Sequence, residues 1–154
     1  MAERNIWYFA YGSSMLRAQI AQRLGADKIQ EERAARLDNH ELIFTKEVRG
    51  GSGSASIQTS PGNTVFGVLY RLPESALKIL DRFEGVPMHY RRIEASVTLL
   101  EGDGQKIAAS VYIAAKPKRG LKPDRLYLQK LIEGATEHQL PPDYIEKLKS
   151  FPIR

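Results

Sequence analysis

With 154 residues, 42% hydrophobic and 27% charged, the chain has the length and composition of a single folded domain spanning residues 1–154, with its own core. It has no cysteine, which excludes a disulfide framework, thiolate metal sites and a cysteine nucleophile, and makes a reducing cytoplasm the expected location. The net charge of +5 permits an acidic ligand or nucleic acid, but the basic residues are scattered and no nucleic-acid motif accompanies them, so they read as a solvated surface.

The N-terminal stretch, Met1-Ala2-Glu3-Arg4-Asn5, is charged and carries no signal-peptide apolar region, and no apolar run approaches membrane-spanning length. Ile6 to Ala10 is an aromatic, apolar run suited to a half-buried strand. Tyr11-Gly12-Ser13-Ser14 then makes a small turn into a segment with apolar residues at Met15, Leu16, Ile20 and Leu24, near helical spacing. Gly12 allows close approach to the backbone, and Ser13 or Ser14 is placed to cap the helix. Two readings stay open here. The turn is either a serine-capped strand end or, through its free N–H groups at a helix start, a seat for an anion such as a carboxylate.

Gly25 reads as a helix stop. Ile29 to Leu37 reads as an irregular lead-in and strand, Asp38-Asn39 as a turn, and Glu41 to Thr45 as a strand. Gly50-Gly51-Ser52-Gly53-Ser54 reads as a mobile loop, without the Lys and Ser/Thr of a phosphate loop. Ala55 to Thr59 and Val65 to Tyr70 read as an antiparallel pair joined by the turn Ser60-Pro61-Gly62-Asn63. Leu72-Pro73-Glu74-Ser75 opens a helix with apolar Ala76, Leu77, Ile79, Leu80 and Phe83, and Gly85 closes it. Tyr90 to Leu100 and Gln105 to Ala114 read as a hairpin across Glu101-Gly102-Asp103-Gly104. Beyond the basic loop Lys116 to Lys122, a helix is expected from Pro123 to about His138. A short last helix to Lys149 is expected to be capped by Asp143. Hairpin-linked strands with interspersed helices give an α+β class with a strongly curved sheet or barrel.

One carboxylate stands out. Glu84 ends a helix, where the dipole disfavours an anion. Asp81, one turn earlier, adds like charge, and Phe83 and Val86 flank it with apolar groups. All three raise a carboxyl pKa toward the range of proton transfer. The plain alternative is an exposed C-terminal glutamate paired with Arg82 or Arg92. His40, His89 and His138 show no metal-ligand spacing and read as surface or turn histidines. Ser13 lacks a nucleophile elbow and an evident histidine partner.

Phe9-Ala10-Tyr11-Gly12-Ser13-Ser14-Met15 resembles the signature turn of the gamma-glutamylcyclotransferases. Leu80-Asp81-Arg82-Phe83-Glu84-Gly85-Val86-Pro87, with Tyr90 and Arg91, resembles the segment around that family's catalytic glutamate. Ser60 to Tyr70 and Leu140 to Lys149 agree as well, in register over nearly the whole chain. The resemblance implies a small mixed β-barrel with surrounding helices, no metal, no organic cofactor, and a small-molecule gamma-glutamyl substrate rather than nucleic acid or membrane, in a monomer or homodimer. It implies release of 5-oxoproline by attack of the substrate's α-amine on its own γ-carbonyl. Glu84 is then the general acid/base. The backbone of Tyr8, Phe9, Ala10, Tyr11, Gly12 and Ser13 is then the substrate-binding turn, with Tyr127 a further contact and Tyr90 and Tyr112 lining the same pocket. Ser14 departs from the asparagine common in the family, which bears on substrate choice: a gamma-glutamylamine is the alternative substrate. A non-catalytic anion- or nucleic-acid-binding module is the alternative of another class.

Overall fold

Among the described residues, five strands rich in aromatic and β-branched residues close into one barrel, and four α-helices pack around it. The structure is a computed structural model and describes residues 3–154; Met1 and Ala2 of the charged N-terminal stretch lie outside the described residues. The strands are β1 (Asn5–Ala10), β2 (Glu31–Glu47), β3 (Gly53–Pro73), β4 (Tyr90–Leu99) and β5 (Lys106–Ala114). The helices are α1 (Arg17–Leu24), α2 (Ser75–Phe83), α3 (Arg125–Glu137) and α4 (Pro142–Lys149). The strand order around the barrel is β1-β3-β2-β4-β5. Neighbours are antiparallel except where β5 meets β1, a parallel contact pairing Tyr8 with Ser110. This closure makes the sheet mixed.

Two expected turns are absorbed into long strands. Ala55 to Thr59 and Val65 to Tyr70 do not pair with each other; both pair with β2, which is 17 residues long and partners them in succession. The turn chemistry between them is spent on a bulge. Asp38 lies opposite Thr64 and His40 opposite Thr59, so Ser60 to Asn63 stand against Asn39 alone. Asn39 takes a left-handed conformation, φ 60°, and its side chain accepts a hydrogen bond from Gly62 N at 3.1 Å. The Asp38-Asn39 turn is thus a kink within β2. The glycine-rich stretch is likewise shorter than expected as a loop, because Gly53 and Ser54 already belong to β3. Gly53 N donates to Lys122 O at 2.8 Å, which ties the basic loop to the start of that strand.

Helix starts also differ in detail. Neither Ser13 nor Ser14 caps α1; they form a 3-10 turn, Ser13–Met15, and Leu16 precedes the helix. Pro73 ends β3, and α2 begins two residues later, its first N–H and Ser75 hydroxyl held by the Glu3 carboxylate at 2.6 and 3.0 Å. Asp124 caps α3, accepting from Tyr127 N at 2.8 Å. Asp143 lies within the first turn of α4, after Pro141 and Pro142, and favours the dipole there without capping it. One contiguous core joins Phe9, Leu69, Tyr70 and Val111 of the barrel to Met15, Ile20, Leu80, Leu131 and Leu148 outside it.

Candidate active site

β1 delivers its C-terminal end to a turn whose carbonyls are pinned. Tyr70 OH donates to Ser14 O at 2.9 Å and Met15 O at 3.1 Å. Met15 N and Leu16 N donate back to Gly12 O and Ser13 O, each at 3.1 Å. The Gly12 and Ser13 N–H groups donate none of these bonds. From the other side α3 lies directly on this turn. A Cβ at Gly134 would sit 2.7 Å from Leu16 N and Met15 C, so only glycine permits the approach.

Beside the turn is a cavity of about 330 Å³. Its lining includes Tyr8, Phe9, Tyr11, Gly12, Ser13 and Ser14 together with Glu84 and Arg23. Tyr90, Tyr112 and Tyr127 line it too. Ala10 is buried and does not line it. Among the sequence-named residues, Ala10 alone stands apart from this space.

Glu84 reaches the cavity because α2 ends there. Val86 N bonds Asp81 O at 3.0 Å and Gly85 N bonds Arg82 O at 3.1 Å, with Gly85 at φ 64°. This is the reciprocal helix stop in which a left-handed glycine reverses the chain. The side chain of Glu84 is 17% exposed. Burial raises its pKa above the ordinary glutamate value, and the Arg23 guanidinium works against that rise by charge and by hydrogen bond. Arg23 Nη1 lies 3.4 Å from Glu84 Oε1. The partner is therefore neither Arg82 nor Arg92. Asp81 does not press like charge on Glu84 either. Its carboxylate turns to Tyr112 OH at 2.6 Å and to Arg92 Nη1 at 3.1 and 3.2 Å. Phe83 is 53% exposed, with the Arg23 guanidinium 5.0 Å from its ring centre.

The tyrosines are neutral phenols. Burial pushes the pKa of Tyr8, Tyr11, Tyr90 and Tyr112 upward, and that of Tyr127 up to about 12. All remain protonated phenols at neutral pH. Tyr90 OH donates to Ala55 O at 2.8 Å, and Tyr127 OH accepts from Ala55 N at 3.0 Å. Tyr11 OH donates to Tyr112 O. Tyr8 packs against Tyr70 and edge-on to Tyr112, 5.7 Å between ring centres.

His138 departs from the surface expectation. Its side chain is 8% exposed, with Nδ1 3.0 Å from Gly134 O and Nε2 3.1 Å from Glu32 Oε1. His89 is exposed in the turn after α2 and also lines the cavity. The basic loop Lys116 to Lys122 does not line it; the cations that do are Arg23, Lys46 and Arg82. Arg23 and Lys46 carried no local signal in the sequence. Arg23 is 61 residues from Glu84 and becomes its neighbour only when α1 packs beside α2.

A cavity beside the end of β1, holding one largely covered carboxylate among protonated phenols, is a small-molecule site with one group suited to carry a proton. A family model described as the AIG2-like family matches residues 64–148. The chain is 35% identical over 150 residues to the gamma-glutamylcyclotransferase of Bos taurus, covering 93% of this chain and 77% of that one. It is 34% identical to the gamma-glutamylcyclotransferase of Homo sapiens, covering 96% and 79%. A solved gamma-glutamyl cyclotransferase superposes with a TM-score of 0.86 at 30% identity, covering 98% of this chain and 90% of that one. The chain belongs to the AIG2-like, gamma-glutamylcyclotransferase family.

Proposed function

We propose that this chain is a gamma-glutamylcyclotransferase in which Glu84 moves the proton and the turn from Tyr8 to Ser13 holds the substrate. The nucleophile is the substrate's own α-amine, so the protein needs no activated serine or cysteine. That amine arrives as an ammonium. Glu84 takes a proton from it, and the freed nitrogen attacks the γ-carbon. A C–N bond forms, and the carbonyl electrons move onto oxygen. As the carbonyl re-forms, the original γ-amide C–N bond breaks and Glu84 returns its proton to the departing amine; the ring nitrogen, which keeps one proton, gives up its second, and the departing amine takes it to leave as an ammonium. The products are 5-oxoproline and the free amine; no water is consumed. A raised pKa suits both transfers, because the same group must accept and release a proton near neutrality.

Backbone N–H groups at Gly12 and Ser13 are the donors assigned to the substrate's α-carboxylate. Holding both ends of the glutamyl portion folds it so that amine and γ-carbonyl meet, a proximity effect. The observation that supports this reading most is that Glu84 and the turn line one cavity. Tyr127, on the same wall, is proposed as a further substrate contact.

The leaving portion is proposed to carry a carboxylate, as an amino acid does. Lys46 and Arg82 line the cavity and supply positive charge for it. The test is a panel of gamma-glutamyl compounds scored by 5-oxoproline release. Amino-acid leaving groups are expected to exceed simple amines in kcat/KM. The reverse order would assign the chain to gamma-glutamylamines, and no release from any member would remove the function.

A further inference from the structure

A carboxyl in an apolar site tends to stay neutral, and a neutral carboxyl cannot accept a proton. One charged group is bonded to Glu84 to oppose this. Arg23 projects from α1, the helix that follows the Ser13–Met15 turn, and its Nη1 is 3.4 Å from Glu84 Oε1. The two side chains are 23% and 17% exposed. The guanidinium also lies over the ring of Phe83, 5.0 Å from its centre. Phe83 directly precedes Glu84, so the end of α2 supplies both the carboxylate and the platform for its partner. An exposed phenylalanine is otherwise unexplained by packing; beneath Arg23 it has a role.

The remaining groups around Glu84 are different in kind. Tyr8 of β1, Tyr11 of the turn after it, Tyr90 of β4 and Tyr127 of α3 are close enough to sense its charge and are neutral phenols. Lys46 of β2, Arg82 of α2 and His89 line the cavity without a bond to Glu84 among the described residues. The Arg23 contact is single-pointed rather than a two-pronged fork, so it holds without locking.

We propose that Arg23 is a positioning residue for Glu84: clamped on Phe83, it keeps the carboxylate turned into the cavity as a proton acceptor and gives way to the ammonium of an incoming substrate. This rests on the reading of Glu84 as the proton carrier. The residue acts through Glu84 and makes no bond to the reacting atoms.

The test is a carbon NMR titration of the Glu84 side-chain carboxyl in the full chain without substrate, for wild type, Arg23→Gln and Arg23→Lys. Loss of the guanidinium is expected to raise the titration midpoint by about one pH unit, a tenfold change in proton affinity. Lysine keeps the charge and loses the flat stack, so its midpoint should fall between the two. The acidic limb of kcat/KM should move upward by the same interval in Arg23→Gln. An unmoved midpoint in either variant would overturn the proposal, and so would a uniform rate loss with an unmoved limb. If Arg23→Gln does not fold, the lysine variant alone decides. A midpoint that moves in a protein making no 5-oxoproline would support the hold on Glu84 while removing the reaction.

Discussion

Tyr112 OH donates to Asp81 Oδ1 at 2.6 Å, and this bond turns Asp81 away from Glu84. The two acidic residues lie one helical turn apart in sequence, yet only Glu84 enters the cavity as a carboxyl without a phenol bond of its own. Tyr112→Phe removes the donor and leaves Arg92 as Asp81's remaining partner. The expected cost is about 1–2 kcal/mol in urea denaturation. Asp81, freed to approach Glu84, should also raise the acidic limb of the rate profile.

Stability should record the burial of Glu84. The folded carboxyl keeps its proton to a higher pH than the unfolded one. Between the ordinary glutamate value and the raised one, the folded state binds more protons, so stability falls as pH rises through that window. Each unit of difference is worth about 1.4 kcal/mol. Glu84→Gln should abolish this decline and be more stable than wild type above the window. Chemical denaturation from about pH 4 to 8 checks the sign.

Gly12 has room for little else. A Cβ there would lie 3.3 Å from Tyr127 OH and 3.6 Å from Ala55 Cβ, at the cavity wall. Its φ is −106°, so alanine meets crowding rather than backbone strain. Gly12→Ala should raise KM on the order of tenfold, with a smaller effect on kcat. Steady-state kinetics on one gamma-glutamyl dipeptide separates the two.

Gly134→Ala should act through the fold. A methyl 2.7 Å from the backbone of Met15 and Leu16 must push α3 off the turn before α1. An overpacking cost of about 1–3 kcal/mol is expected, with lost activity that is not restored by higher substrate concentration. Thermal denaturation and a saturation curve check both parts.

The strands and helices were legible wherever periodicity was local. The hairpin from Tyr90 to Ala114 follows from one turn between two apolar runs. β2 and β3 were less so, because Asn39 and Pro61-Gly62 carry turn chemistry that the barrel uses for a bulge. Local sequence cannot distinguish a strand that reverses from one that kinks when a long partner runs alongside it. The turn and Glu84 were singled out in the sequence and line one cavity, and the direction of the Glu84 pKa shift was expected. Its causes were not. Asp81 pairs with Tyr112, 31 residues away, and Arg23 with Glu84, 61 residues away. Such pairings exist only after the helices pack. Gly134 faces the backbone of Met15 and Leu16, a contact that likewise exists only in the folded chain.

The central claim is that Glu84 carries the proton between the substrate's amine and the leaving group. The most direct measurement is 5-oxoproline release from a gamma-glutamyl dipeptide by wild type and by Glu84→Gln, a substitution close in shape that cannot exchange a proton. Removal of a general acid/base predicts a fall in kcat of about 10²–10⁴-fold with substrate binding retained. Turnover by Glu84→Gln equal to wild type would contradict the account.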